Sequence, residues 1–183
     1  MVKAEIITIG DEILYGQILD TNTQWISLEL DKLGIKTVRK SSVGDQKSEI
    51  LQILSEAAQR ADVVFLTGGL GPTKDDLTKK ILAEYFDCEL AMHPLALQDV
   101  TEFFAKRGRE LSDINRDQAL LPTKAEFIRN SQGTAPGMWF NEKGVLWVSM
   151  PGVPFEMKNI YDPNNKMVKK LKPVLEQWLQ KTN

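Results

Sequence analysis

A glycine-rich turn followed by two adjacent acidic residues has the composition of a site that binds an anion. Three glycines fill four positions (Gly68, Gly69 and Gly71) between a short apolar run and an amphipathic segment with helical spacing. Glycine allows positive φ and leaves no side chain in the path of a ligand that approaches the backbone. Free N–H groups at the start of a helix attract phosphate. The spacing therefore predicts a phosphate-binding turn between a strand and a helix.

Two carboxylates follow this turn, on Asp75 and Asp76, and we expect them in the first turn of the helix. Three anions in one place repel one another unless a cation lies between them, which favours a divalent ion such as Mg²⁺. A structural alternative stays open, because Thr73 and Asp76 resemble a capping box and first-turn acids stabilise a helix without a ligand. The turn lacks the ending of a P-loop and the third glycine of a dinucleotide fingerprint, which disfavours kinases, GTPases and Rossmann dehydrogenases.

The composition is that of an ordinary globular domain. Of 183 residues, 42% are hydrophobic and 26% are charged, and a net charge of −2 argues against a large basic surface for nucleic acid. The single cysteine, Cys88, excludes an internal disulfide, and the single histidine, His93, excludes a histidine metal cluster and leaves a Ser-His-Asp triad little to build on. Neither a membrane span nor a signal peptide is visible. We expect a cytoplasmic protein that binds neither nucleic acid nor membrane.

The order of the predicted elements indicates an α/β fold. Strands are predicted at residues 4–9, 35–43 and 62–66, and an amphipathic helix follows each of them. This alternation is typical of a parallel sheet with helices on both faces, and therefore of three layers, α/β/α. The second half adds a helix that His93 precedes, a short helix, a strand, a small β-hairpin and a helix after a Pro-Gly turn. We expect one domain over residues 1–161, and a linker with a helix over residues 162–183.

Three loops of this fold carry acids near a predicted strand end. In open parallel sheets, ligands bind beyond the carboxyl ends of the strands. Asp11 and Glu12 follow the first strand and Asp45 follows the second, so the sequence predicts that some of them share a pocket with the glycine-rich turn. Asp45 is equally well explained as a turn former, whereas Glu12 is harder to explain as a cap. Elsewhere, Asn115 and Arg116 either reach a phosphate or face solvent.

Five motifs together resemble one family, the N-terminal domain of competence-damage-inducible protein A (CinA). That domain is similar to the molybdopterin-binding domain of the molybdenum-cofactor biosynthesis enzymes of MoaB and MogA type. The resemblance covers roughly residues 4–160 in the right order. The motifs that carry it are residues 10–12 with 20–22, residues 67–78, Asn115 with Gln118, Ala119 and Pro122, residues 133–137, and residues 151–157.

The resemblance implies a metal-dependent nucleotide pyrophosphatase that hydrolyses ADP-ribose to AMP and ribose 5-phosphate. It implies a divalent metal, Mg²⁺ or Co²⁺, with potassium as a further candidate, and a homo-oligomer, either a dimer or a trimer. Two alternatives stay open: a molybdopterin-binding or adenylyl-transfer protein, and a non-catalytic interaction module. Leu70 argues against the first alternative, since the molybdopterin enzymes tend to have threonine there. Many family members carry a nicotinamide-nucleotide amidase domain; no part of this sequence resembles one, and amidase activity is not expected.

The resemblance also implies roles for individual residues. Asp76, Asp45 and Glu12 would be catalytic, and Asp11 and Asp75 would bind the metal. The positions expected to bind phosphate or other parts of the substrate are Gly10, Asn22, Gly68, Gly69, Leu70, Gly71, Pro72, Thr73, Thr78, Asn115, Arg116, Gly133, Pro136, Gly137, Pro151 and Gly152.

Overall fold

The computed structural model of the chain describes residues 1–73, 77–161 and 176–181. Residues 176–181 are helical. The other elements are β1 (Lys3–Ile9), α1 (Asp11–Leu14), α2 (Thr21–Lys32), β2 (Lys36–Val43), α3 (Lys47–Arg60), β3 (Val63–Thr67), α4 (Thr78–Tyr85), β4 (Leu90–Met92), α5 (Pro94–Ala105), α6 (Asp113–Arg116), a 3₁₀ turn (Asp117–Ala119), β5 (Leu120–Pro122), β6 (Glu126–Ile128), β7 (Gly137–Glu142), β8 (Val145–Met150) and α7 (Pro154–Tyr161).

A six-stranded, mainly parallel sheet organises the domain. Its strand order is β2-β1-β3-β8-β7-β6, and the first four strands are parallel. β7 runs antiparallel to β8, and β6 runs antiparallel to β7. The predicted α/β class and the hairpin are thus confirmed, and the hairpin extends the main sheet. Its two-residue turn, Lys143 and Gly144, has φ of 57° and 73°, as a hairpin turn of type I′ requires.

Helices cover both faces of this sheet, which gives the expected three layers. Alternate residues of a strand point to opposite faces, so Ile6 and Ile7 of β1 belong to different core clusters. Ile7 packs in a cluster with Leu54 of α3 and residues of α4, whereas Ile6 packs in a cluster with Ile26 of α2 and residues of α7. β4 and β5 form a separate two-stranded antiparallel sheet, whose three-residue strands the sequence pattern did not predict.

The start of α4 differs from the prediction. The helix begins at Thr78 with Leu77 as its N-cap, so its first turn lies after both aspartates. The reason is that the backbone N–H of Thr78 donates to the Gly69 oxygen at 3.1 Å, and its hydroxyl donates to the Gly68 oxygen at 3.1 Å. The chain therefore closes back onto the glycine-rich turn before the helix starts. Residues 74–76 lie outside the described residues, as do 162–175.

Several local predictions hold. His93 is the N-cap of α5, and its Nδ1 accepts a hydrogen bond from the Ala96 N–H at 3.4 Å. Trp178 and Leu179, in the described part of the predicted tail helix, pack against the core cluster that contains Ile6 and Ile26.

Throughout residues 1–73, 77–161 and 176–181, no helix is both long enough and apolar enough to cross a membrane.

A buried ion pair fixes the amino-terminal end of the sheet. Glu5 of β1 is completely buried, and Arg60 at the end of α3 donates to both of its carboxylate oxygens, at 2.9 and 3.0 Å. The Ser41 hydroxyl donates a third hydrogen bond to Glu5, at 3.3 Å. The bonds to Glu5 raise the pKa of Arg60 above its ordinary value. Since a buried carboxylate without a partner is costly, this pair ties α3 to β1.

We predict that Arg60→Met lowers the free energy of unfolding by about 3 kcal/mol, because it leaves the Glu5 charge buried and unpaired. Urea denaturation measures this loss. The matched control is Lys32→Met, which breaks the surface pair between Lys32 and Glu29, where the lysine side chain is 67% exposed. That variant should stay within about 0.5 kcal/mol of the wild type. Equal losses in the two variants would contradict a special role for the buried pair.

A second prediction concerns Lys79 of α4, which donates to the Asp117 carbonyl oxygen. Burial lowers the pKa of Lys79 to about 8, from an ordinary value of 10.5. The unfolded chain therefore binds more protons than the folded chain between about pH 8 and pH 10.5, so this residue makes stability rise with pH across that window.

Lys79→Met removes this dependence, because methionine carries no proton to lose. We expect the variant to be more stable than the wild type at pH 7 and to lose this advantage as the pH rises towards 10. Denaturation midpoints measured at intervals across the window test the expectation. Lys36→Met, on the exposed edge strand β2, is the control and should show no such trend. A difference in stability between Lys79→Met and the wild type that stays constant across the pH window would refute the expectation.

Candidate functional site

A cleft of about 460 Å³ lies at the carboxyl ends of the parallel strands, where the sequence placed the site. Its walls come from the ends of β1 and β3, the glycine-rich turn, the segments that precede α2 and α7, and the loop before β7. The lining residues are Thr8, Ile9, Glu12, Ile13, Ile18, Leu19, Asp20, Thr21, Asn22, Thr67, Gly68, Gly69, Leu70, Gly71, Pro72, Thr134, Ala135, Pro151, Gly152, Val153, Pro154 and Glu156.

The glycine-rich turn packs so closely on its neighbours that side chains do not fit. Gly68 has φ of 108°, and a Cβ there would lie 2.1 Å from the carbonyl oxygen of Ile9 at the end of β1. Gly69 has φ of 67°, and its Cβ would lie 2.0 Å from the Thr78 hydroxyl. Both the positive φ and the contacts therefore require glycine. The shape of the turn is therefore set by its contacts with the last residue of β1 and the first residue of α4.

Beyond its first residue, Gly68, the glycine-rich turn offers backbone N–H groups to a ligand. The N–H of Gly68 is occupied, since it donates to the Met150 oxygen at 3.0 Å. Within the described part of the chain, no acceptor takes a hydrogen bond from the N–H groups of Gly69, Leu70 and Gly71. The Leu70 side chain is buried in the core cluster that contains Ile7 and Leu54. We therefore expect Leu70 to contact a ligand through its backbone. Consecutive free N–H groups in such a turn are suited to an anion.

Asn22 joins the glycine-rich turn to the turn that follows β8. Its side-chain amide donates to the Thr67 hydroxyl at 2.9 Å and to the Gly152 oxygen at 2.8 Å. The Thr67 hydroxyl in turn donates to the Pro151 oxygen at 3.2 Å. Gly152 lies against Gly68, since a Cβ on Gly152 would be 3.2 Å from the Gly68 Cα. Asn22, Pro151 and Gly152, which the sequence predicts to bind substrate, all line the cleft, and the Asn22 amide nitrogen holds two of its walls together.

The predicted acids separate into two groups. Glu12 lines the cleft, and its carboxylate lies over Gly10, where a Cβ would be 2.7 Å from Oε1. Asp11 and Asp45 do not line it; the Asp11 N–H donates to the Asp45 carboxylate at 3.2 Å, and the Asp45 N–H donates to the Asp11 carboxylate at 3.0 Å. This reciprocal pair ties the loops after β1 and β2 together. Asp75 and Asp76 lie outside the described residues.

Two acids on the cleft wall were not among the predicted site residues. Asp20 caps α2 by accepting from the Thr23 N–H at 3.1 Å, and its other oxygen accepts from the Thr8 hydroxyl at 2.8 Å. Glu156, in the first turn of α7, accepts from the Asn130 amide at 2.8 Å. The signal for Glu156 was present, because it follows the carboxyl end of a strand as Glu12 does. Gly133 leaves space for it, since a Cβ there would lie 1.5 Å from the Glu156 carboxylate.

The remaining predicted residues do not line the cleft. Thr73 and Thr78 flank the glycine-rich turn, and Pro136 and Gly137 are buried at the start of β7. Asn115 and Arg116 lie in α6, and Arg116 is exposed to solvent. This favours the interpretation that these residues face solvent over the one in which they reach a phosphate. In residues 1–73, 77–161 and 176–181, no three His, Cys, Asp or Glu side chains are grouped to hold a metal ion.

We predict that Gly68→Ala is among the most damaging single-methyl substitutions in the domain. Gly34→Ala is the matched control: Gly34 has φ of 74° and nothing within 4 Å of its Cβ position. The control should lose about 1 kcal/mol, from its backbone conformation alone. Gly68→Ala should lose about 1–3 kcal/mol more, because the Ile9 carbonyl must move. Urea denaturation of both variants measures the difference, and equal losses would contradict the close packing of the turn on β1.

Comparisons with known proteins agree with this architecture. Residues 5–170 match the family described as "Probable molybdopterin binding domain". A CinA-like protein of Cytophaga hutchinsonii is 60% identical over 159 residues, which are 87% of this chain and 38% of that protein. A CinA-like protein of Flavobacterium psychrophilum is 47% identical over 171 residues, or 93% of this chain and 40% of that protein. The chain thus spans about two fifths of the length of these curated relatives.

Solved structures show the same fold. The protein CinA from Thermoplasma acidophilum, described as having unknown function, superposes with a TM-score of 0.80 and 33% identity, covering 87% of this chain and 93% of that chain. The molybdopterin biosynthesis enzyme MoaB from Thermus thermophilus superposes with a TM-score of 0.61 at 19% identity, covering 88% of each chain, and this likeness concerns the fold alone. The chain therefore belongs to the family of molybdopterin-binding-type domains and, within it, to the CinA-like proteins.

Proposed function

We propose that the chain is a metal-dependent nucleotide pyrophosphatase that hydrolyses ADP-ribose to AMP and ribose 5-phosphate. One observation carries the proposal: three backbone N–H groups that have no acceptor among the described residues, on Gly69, Leu70 and Gly71, border the same cleft as the exposed carboxylate of Glu12. The first feature suits a phosphate, and the second suits a group that takes a proton from water. A cleft of about 460 Å³ has the size of a small-molecule site.

The charges on the cleft walls support a requirement for a cation. Glu12, Asp20 and Glu156 are acidic, and none of the described lining residues is lysine, arginine or histidine. A diphosphate would enter a site whose described lining residues carry negative charge and no cationic side chain, and a divalent ion between phosphate and carboxylate oxygens relieves that repulsion. Glu12 offers a hard oxygen ligand there, and the sequence places Asp75 and Asp76 next to the turn. These residues fit Mg²⁺ or Co²⁺.

Each group then has a definite task in the reaction. The N–H groups of residues 69–71 bind and orient the diphosphate, and a bound metal would polarise its oxygens and acidify water. Glu12 accepts a proton from the attacking water as the water oxygen bonds to one phosphorus atom. The bond from that phosphorus to the bridging oxygen breaks, and the two products leave as monophosphates. The reciprocal hydrogen bonds between Asp11 and Asp45 tie the loop after β1, which carries Glu12, to the loop after β2.

A second candidate function is binding of molybdopterin. The description of the matched family names this ligand, and molybdopterin carries a phosphate that the same turn suits. Binding without hydrolysis would need the glycine-rich turn and the cation but not the proton acceptor on Glu12. The two functions therefore differ in what Glu12 must do.

We predict that the chain releases AMP from ADP-ribose when Mg²⁺ or Co²⁺ is present and stops when EDTA removes the metal. Glu12→Gln keeps the shape of the side chain but cannot accept a proton, and it should lower kcat by about 100-fold or more. Asp76→Asn should also abolish release, because the resemblance gives this acid a catalytic role. AMP formation, followed by chromatography, measures all three effects.

The matched control is Glu126→Gln, an exposed glutamate on β6 that does not line the cleft, and its activity should equal that of the wild type. No AMP from a folded wild-type chain with either metal would refute the pyrophosphatase. Full activity of Glu12→Gln would leave the hydrolase in place but remove Glu12 from its chemistry. Metal-dependent binding of a pterin phosphate without any hydrolysis would favour the second candidate.

A further inference from the structure

Three large apolar side chains that line the cleft are exposed to solvent. Ile18 and Leu19, in the segment before α2, are 58% and 84% exposed, and Val153, before α7, is 43% exposed. All three line the cleft, and we call them the apolar rim. Phe155, which is 59% exposed, follows next to the cleft residue Pro154. Isolated exposed hydrophobic residues are common on protein surfaces, but several that line the same cavity are the pattern of a binding surface.

The backbone that carries the apolar rim is held in place. The N–H groups of Gln17 and Ile18 both donate to the Glu12 carbonyl oxygen, at 2.9 and 3.1 Å. The N–H of Thr21 donates to the Leu19 oxygen at 3.0 Å, immediately before α2 begins. The exposure of Ile18 and Leu19 is therefore a fixed feature of the fold. Such a fixed apolar surface binds a flat ligand without a further ordering cost.

The lining of the cleft combines two chemistries. It includes the N–H groups of residues 69–71, which have no acceptor among the described residues, and the aliphatic side chains of the apolar rim. A ligand that matches both has an anionic group at one end and a flat, weakly polar group at the other. This description fits a planar heterocycle joined to a phosphate, and it does not fit a free sugar phosphate.

We infer that the apolar rim is the subsite for the heterocyclic ring of the ligand, bound with its phosphate at residues 69–71. The inference rests on the proposed function and adds the orientation of the ligand and the source of its selectivity. Because both nucleotides and pterin phosphates carry such a ring, the rim sets the class of ligand. The ring covers Leu19 and Ile18 and removes their apolar surface from water, so selectivity for ring-bearing phosphates comes from these two residues.

The test compares ligands with and without the ring. AMP, neopterin monophosphate and ribose 5-phosphate are titrated calorimetrically into the wild type with Mg²⁺ present. We expect at least one of the first two to bind about tenfold or more tightly than ribose 5-phosphate, and the preferred probe identifies the ring as purine or pterin. Replacing Ile18 and Leu19 together with serine should lower that preference about five- to tenfold, by loss of apolar contact, and leave the affinity for ribose 5-phosphate unchanged.

The matched control is Leu28→Ser. Leu28 lies on α2, is 56% exposed and does not line the cleft, so the preference should stay at the wild-type value. An unchanged preference in the Ile18→Ser, Leu19→Ser variant overturns the inference, as does a wild type that binds neither ring-bearing probe. If sedimentation shows that the variant loses self-association while its preference is unchanged, a second copy of the chain covers the rim instead.

The outcome is separable from that of the proposed function. A wild type that releases AMP from ADP-ribose, combined with a preference that the double substitution does not change, refutes only the ring subsite. A rim-dependent preference for AMP or the pterin phosphate, combined with no hydrolysis, supports the subsite and refutes only the pyrophosphatase.

Discussion

The site depends on the close approach of three backbone segments at the carboxyl edge of the sheet. Gly68 lies against the carbonyl of Ile9 on one side and against Gly152 on the other. Side chains at these positions would separate the ends of β1, β3 and β8, and the N–H groups of residues 69–71 would then point elsewhere. Two hydrogen bonds from Asn22 and one from Thr67 keep the segments together. The phosphate site that we propose is thus built from backbone geometry, with side chains in a supporting role.

This dependence on backbone explains what the sequence could and could not predict. Strands with continuous apolar runs, such as β3, and helices with clear caps, such as α2, are encoded locally, and their order specifies the sheet. The rule that ligands bind beyond strand ends points to the edge of the sheet where the cleft lies. The start of α4 was set instead by hydrogen bonds from Thr78 to Gly68 and Gly69, and no residue pattern near Thr78 reveals them. β4 and β5 were missed because three residues are too few to show a period.

The acids show the same limit. Glu12, Asp11 and Asp45 all have acidic side chains and similar positions after strands, yet Glu12 lines the cleft whereas Asp11 and Asp45 are hydrogen-bonded to each other. Side-chain direction decides between these outcomes, and it depends on the one-turn helix α1 and on how the loops after β1 and β2 meet. Glu156 lines the cleft from the first turn of α7, whereas the sequence assigned site roles to Pro151 and Gly152 of the preceding turn and none to Glu156. The position of a motif after a strand therefore predicts at which edge of the sheet its side chains lie. Packing of the loops decides which of these side chains line the cleft.

Phosphate sites commonly combine backbone N–H groups with a lysine or arginine, and this cleft has the first without the second among its described lining residues. Three acids on its walls make the shortage of positive charge larger, although Asp20 and Glu156 already accept hydrogen bonds from protein donors. Glu12 has no such bond in the described part of the chain and is exposed, so its charge is the one that an incoming phosphate meets. We therefore expect any phosphate ligand, whether hydrolysed or only bound, to gain affinity from a cation beside Glu12. Metal dependence of binding would follow from the charges of the cleft itself, whereas metal dependence of AMP release belongs to the chemistry that we propose for it.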